Sequence, residues 1–187
     1  MDALATDEVL MQRYRDGDAD AFEILYARHK DSVYRYLLRQ CGNPSTAEEL
    51  MQDVWMGLIR SRDRYEIKAR FTTWLYRMAH NRLIDYYRKQ KPAMVLEFEA
   101  SESQGEVPPT GGIALPDNEF AFHQLAKRLL EALDDLPLAQ REAFLLREEA
   151  GLDLHQAAEV SGVPLEAAKS RLRYAVNKLR TVLTPDA

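Results

Sequence analysis

The chain has 187 residues, 46% of them hydrophobic and 29% charged, with 25 Lys and Arg against 30 Asp and Glu. That length suits one ordinary domain or two small ones, and the hydrophobic fraction excludes a wholly disordered chain. The single cysteine, Cys41, excludes a disulfide scaffold, and no Cys/His cluster has metal-site spacing, so neither a metal nor a cofactor is expected. The opening residues MDALATDEVL are no basic-then-apolar leader, and no run of about eighteen apolar residues occurs, so a cytoplasmic protein without membrane insertion is expected.

Along the chain, Asp20 with Glu23 makes a D-x-x-E start signal. Phe22, Leu25, Tyr26, Val33, Tyr34, Leu37 and Leu38 then recur at helical spacing until Gly42-Asn43-Pro44 stops the helix. Thr46 with Glu49 opens a second helix, with Leu50, Val54 and Leu58 in phase. A third runs from about Thr72 to Lys89, carrying Leu75, Met78, Ala79, Leu83 and Tyr86, and Pro92 lies just past its end. Residues 92–118 hold four prolines, three of the eight glycines and no helical period, which reads as a flexible acidic linker. Beyond it, Phe122–Leu133 forms one helix and Pro137 starts another, Leu138–Ala150, which ends at Gly151. Asp153 with Gln156 is a capping box for a short helix Leu154–Val160. Ser161-Gly162-Val163-Pro164 is a turn, and Leu165–Leu183 a longer basic helix. A short helix, a Gly-containing turn and a longer basic helix make the helix-turn-helix arrangement. No strand alternation occurs. The expected fold is all-α: an N-terminal helical bundle over 1–91, a flexible linker over 92–121 and a helix-turn-helix domain over 122–187.

The overall charge of −5 hides the organisation. Residues 60–91 contain 10 basic and 3 acidic residues, a net +7, and 165–180 carry a net +4. Between them, 92–126 contain six acids and neither Lys nor Arg. Two basic islands in an acidic chain point to a nucleic-acid partner. In the last helix Leu165, Ala168, Leu172, Ala175 and Leu179 form an inward stripe, which puts Lys169, Ser170, Arg173 and Tyr174 together on the outer face. Such residues can hold phosphates or read base edges in a major groove. The first island is interleaved with Tyr65, Phe71, Trp74, Tyr76, Tyr86 and Tyr87. Half of these rings are expected in the core, and the rest suit unstacked bases, where each stacking contact is worth roughly 1–3 kcal/mol.

Nothing in the chain suggests an enzyme, and no catalytic residue is expected. The neighbouring carboxylates Asp134-Asp135 and Glu148-Glu149 diverge by about 100° on a helix and form no shared acid/base site. His29, His80, His123 and His155 are scattered singly and read as surface or helix-end residues. No Gly-rich phosphate loop or nucleophile motif occurs.

Ala21–Pro92, with AEELMQDVWMGLIR and RFTTWLYRMAHNRLIDYYRKQKP, resembles region two of bacterial sigma factors. LDDLPLAQREAFLLREEAGLDLHQAAEVSGVPLEAAKSRLRYAVNKLR resembles region four. Together they cover about 120 of 187 residues, in order, with nothing like region three between them, which points to the extracytoplasmic-function subgroup. The resemblance implies core RNA polymerase, promoter DNA and an anti-sigma protein as partners. By position it assigns Gln52, Asp53, Val54 and Trp55 to polymerase docking. It assigns Tyr65, Arg70, Trp74, Tyr76, Arg77, Asn81 and Arg82 to recognition and opening of the minus-ten element, with Asn81 near the pocket for a flipped base. Lys169, Ser170, Arg171, Arg173 and Tyr174 fall to the minus-thirty-five element. Two departures stand out: YEIKARF replaces a Gly-containing FRGDSSF-like loop, and Tyr174 stands where Arg is common. The alternative, a two-domain helix-turn-helix repressor or activator, explains residues 125–183 but not a +7 surface interleaved with aromatics.

Overall fold

The computed structural model describes residues 5–68, 70–100 and 118–183, and all regular structure among them is helical. In chain order the helices are α1 (Asp7–Arg15), α2 (Ala19–Cys41), α3 (Pro44–Ser61), α4 (Phe71–Gln90) and α5 (Pro92–Ala100), then α6 (Glu119–Asp134), α7 (Leu138–Glu148), α8 (Leu154–Ser161) and α9 (Leu165–Leu183). A 3-10 turn, Arg62–Arg64, follows α3 on the way to α4.

Capping chemistry sets where these helices begin, and it moves two expected starts. The Asp18 side chain accepts from the backbone N–H groups of Asp20 and Ala21, so α2 opens ahead of the Asp20/Glu23 signal. Asn43, read as part of a stop, is also the start of the next helix: its side chain accepts from Thr46 N–H at 3.0 Å and Pro44 takes the first helical position. The Asp153/Gln156 capping box of α8 is formed as expected. Gly42 and Gly162 close α2 and α8 at φ of +70° and +66°, a conformation only glycine adopts cheaply. The helix α1 has no counterpart in the expected pattern; it buries Leu10, Met11 and Tyr14.

The N-terminal helices pack around Leu10, Leu25, Tyr36, Leu37, Leu58, Phe71, Leu75 and Tyr76, all under 2% exposed. The helix α9 packs on α7 and α8, and α6 closes over it through Ala132, Leu133, Leu136, Ala175 and Leu179. The segment read as the start of a linker is helical instead over Pro92–Ala100, where Val95 and Phe98 are buried and the helix packs on α4 and α7. Two apolar residues three apart suffice to seat one helical face once neighbouring helices supply a groove. The remainder of that expected linker, 101–117, lies outside the described residues. The two helical units also touch. Leu138, Leu145, Leu146, Leu152, Ala157 and Val160 join the N-terminal helices in one continuous apolar cluster.

Candidate nucleic-acid interface

Trp74, Arg77, Asn81 and Arg88 follow one another at helical spacing on α4 and share a face, and Arg70 stands at the helix's N-cap just before it. Arg70, Arg77, Asn81, Arg82 and Arg88 are exposed; Trp74 is half-buried. The indole of Trp74 leans on Tyr65 and Phe71, with ring centres 5.1 and 6.3 Å away. Those two rings brace it from behind, so Trp74 is presented at the surface with little freedom to collapse. The other aromatics of the basic island divide differently from the site assignment. Tyr65 and Tyr76 are 2% and 0% exposed, and burial pushes each phenol up to about 12. They support the face from within rather than contribute surface to it.

A cleft of about 350 Å³ runs between α3 and α4, lined by Asp53, Val54, Gly57, Met78, Asn81 and Arg82. It brings together residues that the sequence reading placed in two different sites. On α3, Gln52 and Asp53 are exposed as a docking surface requires. Val54 and Trp55 are not: they are 0% and 5% exposed, and Trp55 packs edge-on against Tyr26 and Phe22 at 5.0 and 6.0 Å. Their assignment to the docking surface is corrected to the core, because positions 50, 54 and 58 define the inward stripe of α3 and 55 lies beside it. The exposed apolar side chain of this helix is Met56.

On α9, Lys169 and Arg173 are exposed and Ser170 and Tyr174 half-buried, one turn apart in pairs. The Arg173 guanidinium lies 5.3 Å from the Tyr174 ring centre, and Lys169 is 3.7 Å from Glu166. Arg171 departs from the expectation. It is 5% exposed and faces α5, where its Nη2 donates to the Phe98 carbonyl at 3.4 Å and its guanidinium covers the Phe98 ring at 5.4 Å. Position 171 is three residues past Ala168 and four before Ala175, so the helix turns it inward.

Sequence reasoning missed Glu142 and misplaced His80. His80 is 8% exposed rather than a surface residue, and its Nδ1 is 2.6 Å from Glu142 Oε1. The available signal was a charge inside an apolar frame, since Glu142 follows Leu138 by four and precedes Leu145 and Leu146. Ser161 completes a Ser/His/Glu group, but its hydroxyl donates to Glu142, not to His80. The imidazole faces the carboxylate instead of the hydroxyl, so the group is not arranged as a Ser-His-acid triad for nucleophilic catalysis. Among the described residues, no cluster of three His, Cys, Asp or Glu could hold a metal. None of the described helices is long and apolar enough to cross a membrane.

What α4 and α9 offer is two cationic helix faces, one with a braced indole. Residues 25–93 match the sigma-70 region 2 family and residues 126–179 match sigma-70, region 4. The chain is 36% identical to the RNA polymerase sigma factor CarQ of Myxococcus xanthus, over 92% of this chain and 95% of that protein. It is 30% identical to the ECF RNA polymerase sigma factor SigK of Mycobacterium sp. (strain KMS), over 94% of this chain and 90% of that protein. The chain belongs to the extracytoplasmic-function sigma factors. As a sigma factor it directs RNA polymerase to promoters, and a stand-alone repressor or activator has no use for the region-two match. The fold of this sigma factor is similar to that of RpoE, solved with the anti-sigma factor NepR from Bartonella quintana. The TM-score is 0.67 at 22% identity, over 89% of this chain and 98% of that one.

Proposed function

We propose that the two helical units divide promoter recognition between them. Residues 1–91 dock on core polymerase and open the minus-ten element, and residues 122–187 read the minus-thirty-five element. The braced, half-buried Trp74 flanked by exposed Arg70, Arg77, Asn81 and Arg82 carries this reading. A duplex reader needs donors and charge; a fixed indole adds stacking energy only where a base has left its stack. The contacting residues are Arg70 at the N-cap of α4 and Trp74, Arg77, Asn81 and Arg82 on it, with Tyr65 and Tyr76 as internal supports. On α9 they are Lys169, Ser170, Arg173 and Tyr174, joined by Arg171 where α5 leaves it. Gln52 and Asp53 lead the docking surface. The chain acts in the cytoplasm, does no chemistry of its own, and is held in check by an anti-sigma protein.

The test is run-off transcription with core polymerase on a genomic promoter library, comparing wild type with Trp74→Ala on linear duplex and on templates pre-opened at the minus-ten element. Trp74→Ala should fail on duplex and recover on the pre-opened template. Equal activity on both templates would remove Trp74 from melting.

A further inference from the structure

Glu142 is fully buried, with 0% of its surface exposed. Its Oε1 accepts from the Tyr36 hydroxyl at 2.8 Å and from His80 Nδ1 at 2.6 Å, and its Oε2 accepts from the Ser161 hydroxyl at 2.9 Å. Tyr36 and His80 belong to α2 and α4, whereas Glu142 and Ser161 belong to α7 and α8. The carboxylate thus joins the two units at the centre of their contact. Around it, the Arg35 Nε donates to Glu149 Oε2 at 2.8 Å, and Arg141 Nη1 donates to the Arg39 carbonyl at 3.1 Å, at the C-terminal end of α2. Arg171 closes the third side on α5.

We propose that this cluster is a lock: Glu142, gripped by Tyr36 and His80, holds the free sigma factor in a closed form that cannot occupy both promoter elements at once. The proposal rests on the functional reading above. Two elements about 25 base pairs apart lie roughly 85 Å apart along the duplex, at about 3.4 Å per pair. In the closed form α4 packs directly on α8, the partner helix of the reading helix, and packed helices have axes only about 8–10 Å apart. The same closure buries Arg171 of the reading helix against the Phe98 ring. Engagement of a whole promoter therefore requires the units to part. Glu142, His80, Tyr36 and Ser161 all regain water when the lock opens, which lowers the cost of parting two units that are otherwise joined by apolar side chains.

The experiment follows the full-length chain by small-angle scattering, by binding to a promoter duplex recovered from the transcription screen, and by transcription with core polymerase. Free wild type should scatter with a radius of gyration near the roughly 16 Å of a compact 187-residue chain. Glu142→Gln keeps the side-chain shape and removes the charge. It should expand the chain and tighten duplex binding by the free protein about ten-fold, with core-dependent transcription retained. A second variant avoids the buried site: Arg35→Glu should expand the chain in the same direction, and adding Glu149→Arg should restore the compact form. An already extended wild type, or variants as compact and as weakly bound as wild type, would overturn the lock. Failure of wild type and variants alike to direct core polymerase would instead overturn the functional reading, and the lock with it.

Discussion

At the scale of single residues, the pair His80 and Glu142 sets a pH dependence. Burial by itself pushes the His80 pKa down, but the charge and hydrogen bond of Glu142 outweigh it and leave the imidazole above its ordinary value of about 6.5, against opposition from Arg171 and Arg77. Burial pushes Glu142 up, but His80 and the hydrogen bonds from Tyr36 and Ser161 outweigh it and leave the carboxyl below its usual range. Burial and the neighbouring Glu142 carboxylate raise Tyr36, so its hydroxyl stays a donor throughout. A raised histidine stabilises the closed form fully below about pH 6.5, and the contribution fades as pH rises through the raised pKa. The depressed Glu142 contributes above about pH 4.3 and is lost as pH falls through its lowered pKa. The closed form is thus favoured most between those two values. Scattering radii measured from pH 6 to pH 9 should grow for wild type, and His80→Gln should flatten the curve; a slope that survives in that variant assigns the titration to another group. On α9, Arg173→Ala or Lys169→Ala should cost about 1–3 kcal/mol at one promoter position if the contact is to a base edge. A phosphate contact would instead weaken all promoters evenly and flatten the salt dependence. Parallel promoter titrations at two salt concentrations separate these outcomes.

Helix ends decide how well each element is placed. The capping box of α8 satisfies two backbone donors before a helix of only eight residues, so Asp153→Ala should cost about 1 kcal/mol and loosen the helix-turn-helix first. Hydrogen exchange in α8 rising faster than in α2 would bear this out; uniform exchange would not. The interior of α3 works the other way. Trp55 is held among Phe22 and Tyr26, so Trp55→Ala should cost roughly 3–5 kcal/mol of stability, which thermal or denaturant unfolding would read. Asp53→Arg, two residues away but exposed, should leave the melting temperature unchanged and weaken binding to core polymerase. Equal polymerase affinity in that variant would move the docking surface elsewhere on the helix. The helices most legible in the sequence were those with a long apolar period, α2, α4 and α9. The ends were legible where a single residue pair carried the cap, as at Asp153/Gln156. They were misread at Asn43-Pro44, where the same residues stop one helix and start the next.

For the whole molecule, the sequence announced two helical units and two basic islands but not how the units meet. The islands were legible because charge clustering survives in one dimension: ten cations in 60–91 against none in 92–126 need no coordinates. Outward charge on α4 and α9 followed from the helical period, which put Arg77, Asn81, Lys169 and Arg173 at the surface. The contact between units left weaker traces. Glu142, His80 and Arg171 each occupy an inward position of their own helix, and each is polar where a hydrophobe would serve packing. Read singly, each resembles an ordinary charged residue; only their convergence makes them a cluster.

The sequence by itself determined the all-α class, the helix-turn-helix, the resemblance to both sigma regions and the outward cationic faces. Each of these rests on local periodicity, capping or charge, which neighbouring residues encode together. Only the tertiary structure decided that Trp55, Tyr65 and Tyr76 are interior, that Trp74 remains at the surface on a bracket of two rings, and that residues 92–100 form a helix. It alone decided that Glu142 finds Tyr36 and His80, more than sixty residues away along the chain. Burial and pairing depend on what packs across from a residue, and helices distant in sequence supply that surface only after the chain has folded.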